Sequence, residues 1–414
     1  MTAALRRSFD SLSVPNYRRY FKGQVVSLSG NWMQTVAEVW LILSLTGSGF
    51  AVGIATALQF LPVMLLGALG GSLADRFAKR DLLMVTQAMM MLPPLILLGV
   101  TMAGVVTPAM VFGLILIRGT LLAIDNPARQ AFVMEMVGPD RIVNAVSLNS
   151  VIVHSARVAG PAVAGILIAT LGVAPCFGLN ALTFVVMIRA LHGMDPRRLA
   201  EPPKADAGET GRVRAALRHV RETPELAMPL LLMAVVGTLG LNFQVILPLL
   251  ARMTFEGGAS SYAVLVSSMG AGSVIGALVT GARGRTGMGM IAASALAFGG
   301  LAMAAALMPS LASEIPVLAL LGASAVTFAA AINSTIQLAV EPEMRGRVMA
   351  LYTVVFLGST PIGGPLVGFI SESADPRFAL ALASVSGLIA AVGAWWISSR
   401  RDRRQNREPA LEIA

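Results

Sequence analysis

The sequence has very few of the side chains on which metal sites and nucleophilic catalysis depend. Its 414 residues include one cysteine, Cys176, and three histidines. A single cysteine cannot form an internal disulfide, and these residues show neither a metal-ligand spacing nor a catalytic triad. A glycine-rich phosphate loop that would bind ATP is also absent. The sequence therefore predicts no metal, no cofactor and no enzymatic activity.

Charged residues are scarce as well. They make up 13% of the chain, about half the ~25% usual in soluble domains, whereas 56% of the residues are hydrophobic and the mean hydropathy is +0.74. These values exclude an ordinary soluble enzyme and make the lipid bilayer the expected partner of the apolar surface. The net charge of +9 would suit nucleic acid. The basic residues, however, lie between apolar runs rather than on one domain, so no nucleic-acid partner is predicted.

Twelve apolar stretches are long enough to cross a bilayer, which takes about 20 residues. Helices are the expected structure, because the alternating pattern of strands is absent and open sheet edges cannot persist in lipid. The first stretch lacks a cleavage site and is interpreted as a retained span. The sequence thus predicts an all-α membrane protein with spans near 24–45, 50–74, 82–103, 107–125, 143–171, 174–192, 227–250, 261–282, 287–308, 315–338, 348–370 and 378–398.

Basic residues are confined almost entirely to alternate loops. The loops after the second, fourth, sixth, eighth and tenth spans carry arginine or lysine, whereas the intervening loops carry only Arg252 and Arg377. Loops rich in arginine and lysine stay on the cytoplasmic side of a membrane. Both termini are therefore predicted to be cytoplasmic.

The chain divides almost in half. Residues 193–226 contain four prolines and many charges, a composition typical of a solvated linker. Arg141 and Pro161 recur as Arg345 and Pro365, 204 positions later in both cases, which indicates two duplicated six-helix units. We predict an N-terminal six-helix bundle at 1–192, a cytoplasmic linker at 193–226, a C-terminal six-helix bundle at 227–399 and a basic cytoplasmic tail at 400–414.

The stretch after the second span, Gly70-Gly71-Ser72-Leu73-Ala74-Asp75-Arg76-Phe77-Ala78-Lys79-Arg80, resembles the signature between helices two and three of the major facilitator superfamily. Ala78 stands where that family usually has glycine. The resemblance implies the major facilitator fold and a cytoplasmic gate. Gly71 would let helices approach closely, and Asp75 would face a helix N-terminus or an arginine. The alternative is a merely charged turn. The predicted gate residues are Gly71, Asp75, Arg76 and Arg80.

Further motifs narrow the resemblance. Asp125-Asn126-Pro127-Ala128-Arg129-Gln130 and Glu343-Met344-Arg345-Gly346-Arg347 are similar to stretches of the drug/proton antiporter-like branch, which includes macrolide efflux proteins and the enterobactin exporter. The Gly160-Pro161 pair looks like the antiporter signature of drug exporters, although Ala164 replaces one glycine. It implies a helix kink at Gly160, Pro161 and Gly165, for which simple packing is the alternative.

Charged groups within spans cost roughly 2.5–3.5 kcal/mol each and therefore mark candidate sites. Ser27, Asn31, Gln34 and Glu38 recur every three or four residues and share one face of the first span. Glu38 is interpreted as a proton carrier, a partner for a charge on the substrate, or half of a structural salt bridge. We expect it beside two intramembrane arginines at one aqueous cavity. The predicted proton and substrate cavity comprises Glu38, Asn31, Gln34, Arg118, His154 and Arg157.

Three expectations concern charges elsewhere in the spans. Asp125 is predicted to be a structural residue at a helix end. His154 is interpreted as a core histidine or a proton relay. The second half of the chain is expected to embed no charge.

These features predict a proton-coupled transporter that exports hydrophobic or amphipathic small molecules, such as a drug, a siderophore or a secondary metabolite, by alternating access. An uptake carrier or a lysolipid transporter of the same fold is the alternative, and a membrane-embedded enzyme or receptor is the alternative of another class. Arginine far outnumbers lysine, which is typical of a G+C-rich bacterium, so the bacterial plasma (inner) membrane is the expected location. The expected coupling ion is the proton, and the expected state is a monomer.

Overall fold

The computed structural model of the protein describes residues 9–200, 212–283 and 286–405, and the regular elements within those ranges are helices. The first half contains α1 (Pro15–Thr46), α2 (Gly49–Arg76), α3 (Lys79–Met90), α4 (Leu92–Met102), α5 (Pro108–Val137), α6 (Ile142–Leu171) and α7 (Ala174–His192). The second contains α8 (Arg212–Glu222), α9 (Pro224–Leu239), α10 (Phe243–Leu249), α11 (Ala259–Arg283), α12 (Met288–Leu307), α13 (Leu311–Ala339), α14 (Pro342–Ser373) and α15 (Pro376–Gln405). Parts of the predicted linker (201–211) and most of the predicted tail (400–414) lie outside the described residues.

Eleven helical segments in the described part of the chain are long and apolar enough to cross a membrane. α1 is not among them, although its 32 residues would extend about 48 Å at 1.5 Å per residue. The polar residues along it, Ser27, Asn31, Gln34 and Glu38 among them, lower its hydropathy. Ser27, Gln34 and Glu38 are buried inside the protein and Asn31 is partly buried, so these polar groups are shielded from lipid.

Two predicted spans are interrupted. The third is split into α3 and α4 at Met91, two residues before Pro93 and Pro94, which cannot donate backbone hydrogen bonds. The seventh is split after Leu239, and α10 is followed by a π-helical turn, Leu250–Thr254. Helix α5, which corresponds to the fourth predicted span, also differs from expectation. It continues to Val137, so the prediction that Asp125 ends a helix is wrong.

We call the helices α1 to α7 the first bundle and the helices α9 to α15 the second bundle. Small residues bring the helices of each bundle close together. A methyl group at Gly160 would overlap α1 at Trp32, and one at Gly272 would overlap the backbone of α13 at Ala319. Such contacts give membrane helices the van der Waals packing that replaces a hydrophobic driving force in lipid.

The two bundles meet along α2 with α14 and along α6 with α11. Gly49 and Gly53 lie against Gly368 and Gly364, and Gly165 lies against Ala263. These approaches are near the loops that carry little positive charge, which we call the outer end; the opposite end, near residues 76–79, 138–141 and 340–345, is the basic end. The outer end of the seam between the bundles is therefore closely packed.

Candidate functional site

The buried centre of the first bundle holds an ion pair between α1 and α5. Arg118 Nη2 donates to Glu38 Oε2 at 2.5 Å, and the two side chains are each 2% exposed. Gln34 Nε2 donates to the other carboxylate oxygen, Glu38 Oε1, at 2.6 Å. Thr35 Oγ1 lies 3.4 Å from Arg118 Nη1. Both oxygens of Glu38 are therefore occupied by donors, which offsets the cost of burying the charge.

The polar network continues from Gln34 to α7. Asn180 Nδ2 donates to Gln34 Oε1, and it lies 3.5 Å from Asn31 Oδ1. Thr183 Oγ1 in turn donates to Asn180 Oδ1 at 2.8 Å. Sequence reasoning missed Asn180 and Thr183, although two polar residues three apart on an apolar helix are the same signal that marks the stripe on α1. Three helices thus position Glu38.

Arg157 lies apart from this ion pair. Its guanidinium carbon sits 5.2 Å from the centroid of the Trp32 ring on α1, a cation–π contact. Its Nε has no hydrogen-bond partner, and no carboxylate of the described side chains forms an ion pair with it. The expectation that both arginines flank Glu38 therefore applies to Arg118 alone. The side chain of His154, on the same helix as Arg157, lies outside the described residues.

A second buried network surrounds Asp125 in the middle of α5. Arg129, one turn later, donates to Asp125 Oδ2 at 2.6 Å, and Asp125 is 1% exposed. Thr86 and Gln87 of α3 both donate to Asp125 Oδ1 at 2.8 Å. Arg129 also donates to Gln24 of α1. Every oxygen of Asp125 is occupied, and the network ties three helices together.

The predicted gate residues are divided between two environments. Asp75 and Arg76 are exposed at the end of α2 and make no ion pair with the described residues. Arg80 instead donates to the carbonyl oxygens of Leu191 and His192, both at 2.9 Å, and so binds the C-terminus of α7. Arg80 therefore stabilises the first bundle, and only Asp75 and Arg76 remain available for contacts with the second bundle.

The close helix approach expected at Gly71 occurs at Gly70. A methyl group at Gly70 would overlap the Ala123 carbonyl of α5, whereas one at Gly71 would meet nothing within 4 Å. Gly71 therefore makes no close helix contact in this structure, and its role at the gate stays a prediction. The two glycines are adjacent in sequence, but the helix turns about 100° between them, so only one can face α5.

This difference predicts opposite results for two matched substitutions. Gly70→Ala should destabilise the protein by roughly 1–3 kcal/mol, because the obstacle is a backbone carbonyl that cannot move aside. Gly71→Ala should leave stability unchanged, since its methyl group enters open space. Thermal unfolding of the purified variants in one detergent measures both. Equal unfolding temperatures would contradict this packing.

The Gly160-Pro161 stretch lies within α6, which is continuous from Ile142 to Leu171. Gly160 lets Trp32 of α1 approach, and Gly165 faces Ala263 of the other bundle. In the second half, Gly364 and Gly368 occupy comparable positions against Gly53 and Gly49. In both the 160–165 stretch and the 363–368 stretch, a helix contacts its own bundle and also the opposite bundle. The kink itself stays a prediction.

The second bundle also contains a buried carboxylate. Glu314, in the first turn of α13, is 0% exposed, and neither of its carboxylate oxygens accepts a hydrogen bond from the described residues. The expectation that the second half embeds no charge is therefore wrong. It failed because the predicted span began at residue 315, whereas α13 begins at Leu311. Arg377, which donates to the Met308 carbonyl at 2.9 Å, supplies the nearby positive charge.

One polar contact joins the bundles at the outer end. Glu372, near the C-terminus of α14, accepts hydrogen bonds from Ser48 Oγ at 2.6 Å and from the backbone N–H of Phe50 at 2.9 Å. A carboxylate at the N-terminus of α2 is favoured by the helix dipole. Trp40 and Tyr262 stack across the same seam with ring centroids 6.2 Å apart. Together these contacts join the two bundles at the outer end.

The chain is similar to known membrane transporters over nearly its whole length. The family model for transmembrane secretion effectors matches residues 7–411. The enterobactin exporter of Salmonella choleraesuis (strain SC-B67) is 26% identical over 90% of this chain and 89% of its own length. The staphyloferrin A transporter of Staphylococcus aureus (strain NCTC 8325 / PS 47) is 24% identical over 63% of this chain and 65% of its own, slightly under two thirds.

Solved structures show the same fold. A bacterial homologue of the human lysosomal transporter Spinster, in an inward-facing and unoccupied conformation, aligns with a TM-score of 0.73 at 16% identity, over 93% of this chain and 97% of that one. A D-xylose–proton symporter aligns with a TM-score of 0.72 at 13% identity, over 91% and 97%. The family match and the shared architecture agree with the resemblance noted in the sequence. The chain belongs to the transmembrane secretion effector family, within the major facilitator superfamily of membrane transporters.

Proposed function

We propose that the protein is a proton-coupled exporter of hydrophobic or amphipathic small molecules in the bacterial plasma membrane. Both termini lie in the cytoplasm, and residues 1–192 and 227–399 form the two bundles that rock against each other. Support for export comes from the enterobactin exporters among its relatives, and support for this orientation comes from the basic loops.

The observation that carries proton coupling is the buried pair of Glu38 and Arg118. Glu38 is the acidic side chain at the centre of the first bundle, and its charge is balanced by one arginine. A proton on Glu38 would remove that balance and leave Arg118 buried without a counter-charge. Leaving one half of a buried pair uncompensated costs roughly 3–5 kcal/mol. That is enough to favour a second arrangement of the helices in which Arg118 is hydrated.

Alternating access is supported by the asymmetry of the seam. The outer end is packed through Gly49, Gly53 and Glu372, while Asp75 and Arg76 at the basic end are exposed. We assign this structure to the state that opens toward the cytoplasm. Asp75 and Arg76 then find partners on the second bundle only after the cytoplasmic end has closed.

The entry of protons down their gradient releases enough free energy to drive export of a substrate against its own gradient. One elementary charge moved through 100 mV releases roughly 2.3 kcal/mol. Because about 1.4 kcal/mol corresponds to a tenfold ratio, a single proton could sustain roughly a fortyfold gradient of a neutral substrate. No ATP-binding loop is needed.

A deletion strain tests the proposed function. Loss of an exporter should raise the strain's sensitivity to at least one amphipathic toxin or cause an excreted metabolite to accumulate inside the cells, and complementation should reverse both. Susceptibility profiles and mass spectrometry of cells and medium measure this. Reduced entry of a compound would instead indicate an uptake carrier, and a change confined to lysolipid distribution would indicate a lysolipid transporter. Either result would contradict export.

A further inference from the structure

Arg157 lies at the middle of α6, a helix that is long and apolar enough to cross a membrane. α6 runs from Ile142 to Leu171, so its ends are each about 22 Å away from Arg157 along the helix. That distance is too great for the side chain to reach the interfacial water at either surface. Its backbone is at the seam between the bundles: Gly270 of α11 faces the Arg157 carbonyl, and Ser267 Oγ donates to the next carbonyl, of Val158, at 3.3 Å. Substrate sites of such transporters form where the two repeats meet at this depth.

The buried ion pairs of the first bundle do not include Arg157. They join Arg118 with Glu38, Arg129 with Asp125, and Lys79 with Glu135 at 2.9 Å. Arg157 lies near the middle of α6, and no acid whose side chain the structure describes forms an ion pair with it. Its Nε also lacks a hydrogen-bond partner. Arg157 is therefore a mid-helix guanidinium whose charge no described side chain balances.

The surroundings of Arg157 are those of a binding surface rather than of a closed core. Arg157, Trp32 and Asn31 are each partly exposed, in contrast to the fully buried Glu38 and Arg118. Gly160 is the reason that Trp32 can lie here, because any side chain at Gly160 would collide with the Trp32 Cβ. A flat indole face and a planar cation are thus presented side by side.

We propose that Arg157 and Trp32 form the substrate subsite and that it takes a carboxylate-bearing amphipathic molecule. The guanidinium presents parallel N–H donors that match the two oxygens of a carboxylate, and the indole packs against the apolar or aromatic part of the molecule. The carboxylate supplies the missing negative charge. This inference rests on the proposed transport function but names its cargo as an organic anion, whereas proton coupling resides at Glu38.

The test uses a matched pair of probes, 1-naphthoate and its uncharged analogue 1-naphthamide. Binding of each radiolabelled probe to the full-length protein in nanodiscs is measured by equilibrium dialysis, with empty nanodiscs subtracted. The wild type should bind naphthoate about tenfold to a hundredfold more tightly than naphthamide, the ratio that one charged hydrogen-bonding contact provides. Arg157→Gln should abolish that preference while leaving naphthamide binding unchanged. Arg157→Lys should retain part of it, because a point charge replaces the fork.

The exposed Arg218, which pairs with Glu222 outside the bundles, provides the control: Arg218→Gln should bind both probes as the wild type does. A wild-type ratio near one, or no saturable binding of naphthoate by the wild type, would overturn the proposal without any variant. A preference that persists in Arg157→Gln would also overturn it. Binding in nanodiscs needs no proton gradient, so this experiment tests the subsite even if proton coupling is disproved. Conversely, a failure of naphthoate to bind at Arg157 would not contradict proton coupling at Glu38.

Discussion

Glu38→Gln should abolish uphill efflux while preserving downhill exchange of the same substrate. Glutamine keeps the size of the side chain but cannot gain or lose a proton. It also presents one oxygen where Gln34 and Arg118 both donate, so one of these two donors loses its acceptor. Efflux against a gradient should fall to the level of vesicles that lack the protein. Counterflow, which needs only the movement of the two bundles, should continue.

The measurement compares uphill uptake and counterflow in everted vesicles, using a compound that the deletion strain fails to export. Asp125→Asn is the matched control, because Asp125 is as buried as Glu38 and is also paired with an arginine of the same bundle. It should lower stability and yet leave uphill transport per folded protein unchanged. Uncoupler-sensitive uphill transport by Glu38→Gln would show that the proton binds elsewhere. Equal loss in Asp125→Asn would show that the effect is structural.

Cross-linking the outer end should stop transport completely and reversibly. Ser48 and Glu372 belong to different bundles and are in hydrogen-bonding contact. Cysteines at these positions, in a Cys176→Ser background, can be joined by a short bifunctional thiol reagent with a reducible disulfide. If the outer end must open to release substrate, the joined protein cannot complete a cycle. Reduction should restore the flux of the uncross-linked double variant.

A cross-link within one bundle provides the control for this experiment. Asp10 and Arg141 form an ion pair at 2.9 Å inside the first part of the chain, so joining them should leave the bundles free to move. Transport that continues after complete Ser48–Glu372 cross-linking would contradict alternating access at this seam. Equal inhibition by both cross-links would show that the reagent, rather than the bridge, is responsible.

Features that depend on periodicity were predictable from the sequence. The spacing of Asn31, Gln34 and Glu38 along α1 places them on one face, and the structure joins Gln34 and Glu38 in one network with Arg118. A polar stripe on a membrane helix is stable only where it faces protein or water. The side of α1 that faces inward was therefore predictable from the positions of its polar residues. The helical fold follows from the same constraint.

Features that depend on the partner helix were not predictable. Nothing in the sequence distinguishes Gly70 from Gly71, because only the rotation of α2 against α5 decides which one meets Ala123. The apolar stretch of the fourth span ends at Asp125, yet α5 continues for three more turns. Thr86 and Gln87 of α3 donate hydrogen bonds to the Asp125 carboxylate, so this charged group can be buried inside the helix bundle. The contact of Arg157 with Trp32 likewise depends on tertiary packing.

Proton-driven accumulation by the purified protein tests the central claim most directly. The wild type is reconstituted into liposomes with an imposed pH gradient, acidic inside, and no ATP, and uptake of the compound identified in the deletion strain is followed over time. If the protein is an antiporter, those molecules whose cytoplasmic side faces outward should drive the compound into the liposomes until its internal concentration exceeds the external one. An uncoupler should then release the compound. Equal concentrations inside and outside, with or without the uncoupler, would contradict proton-coupled export.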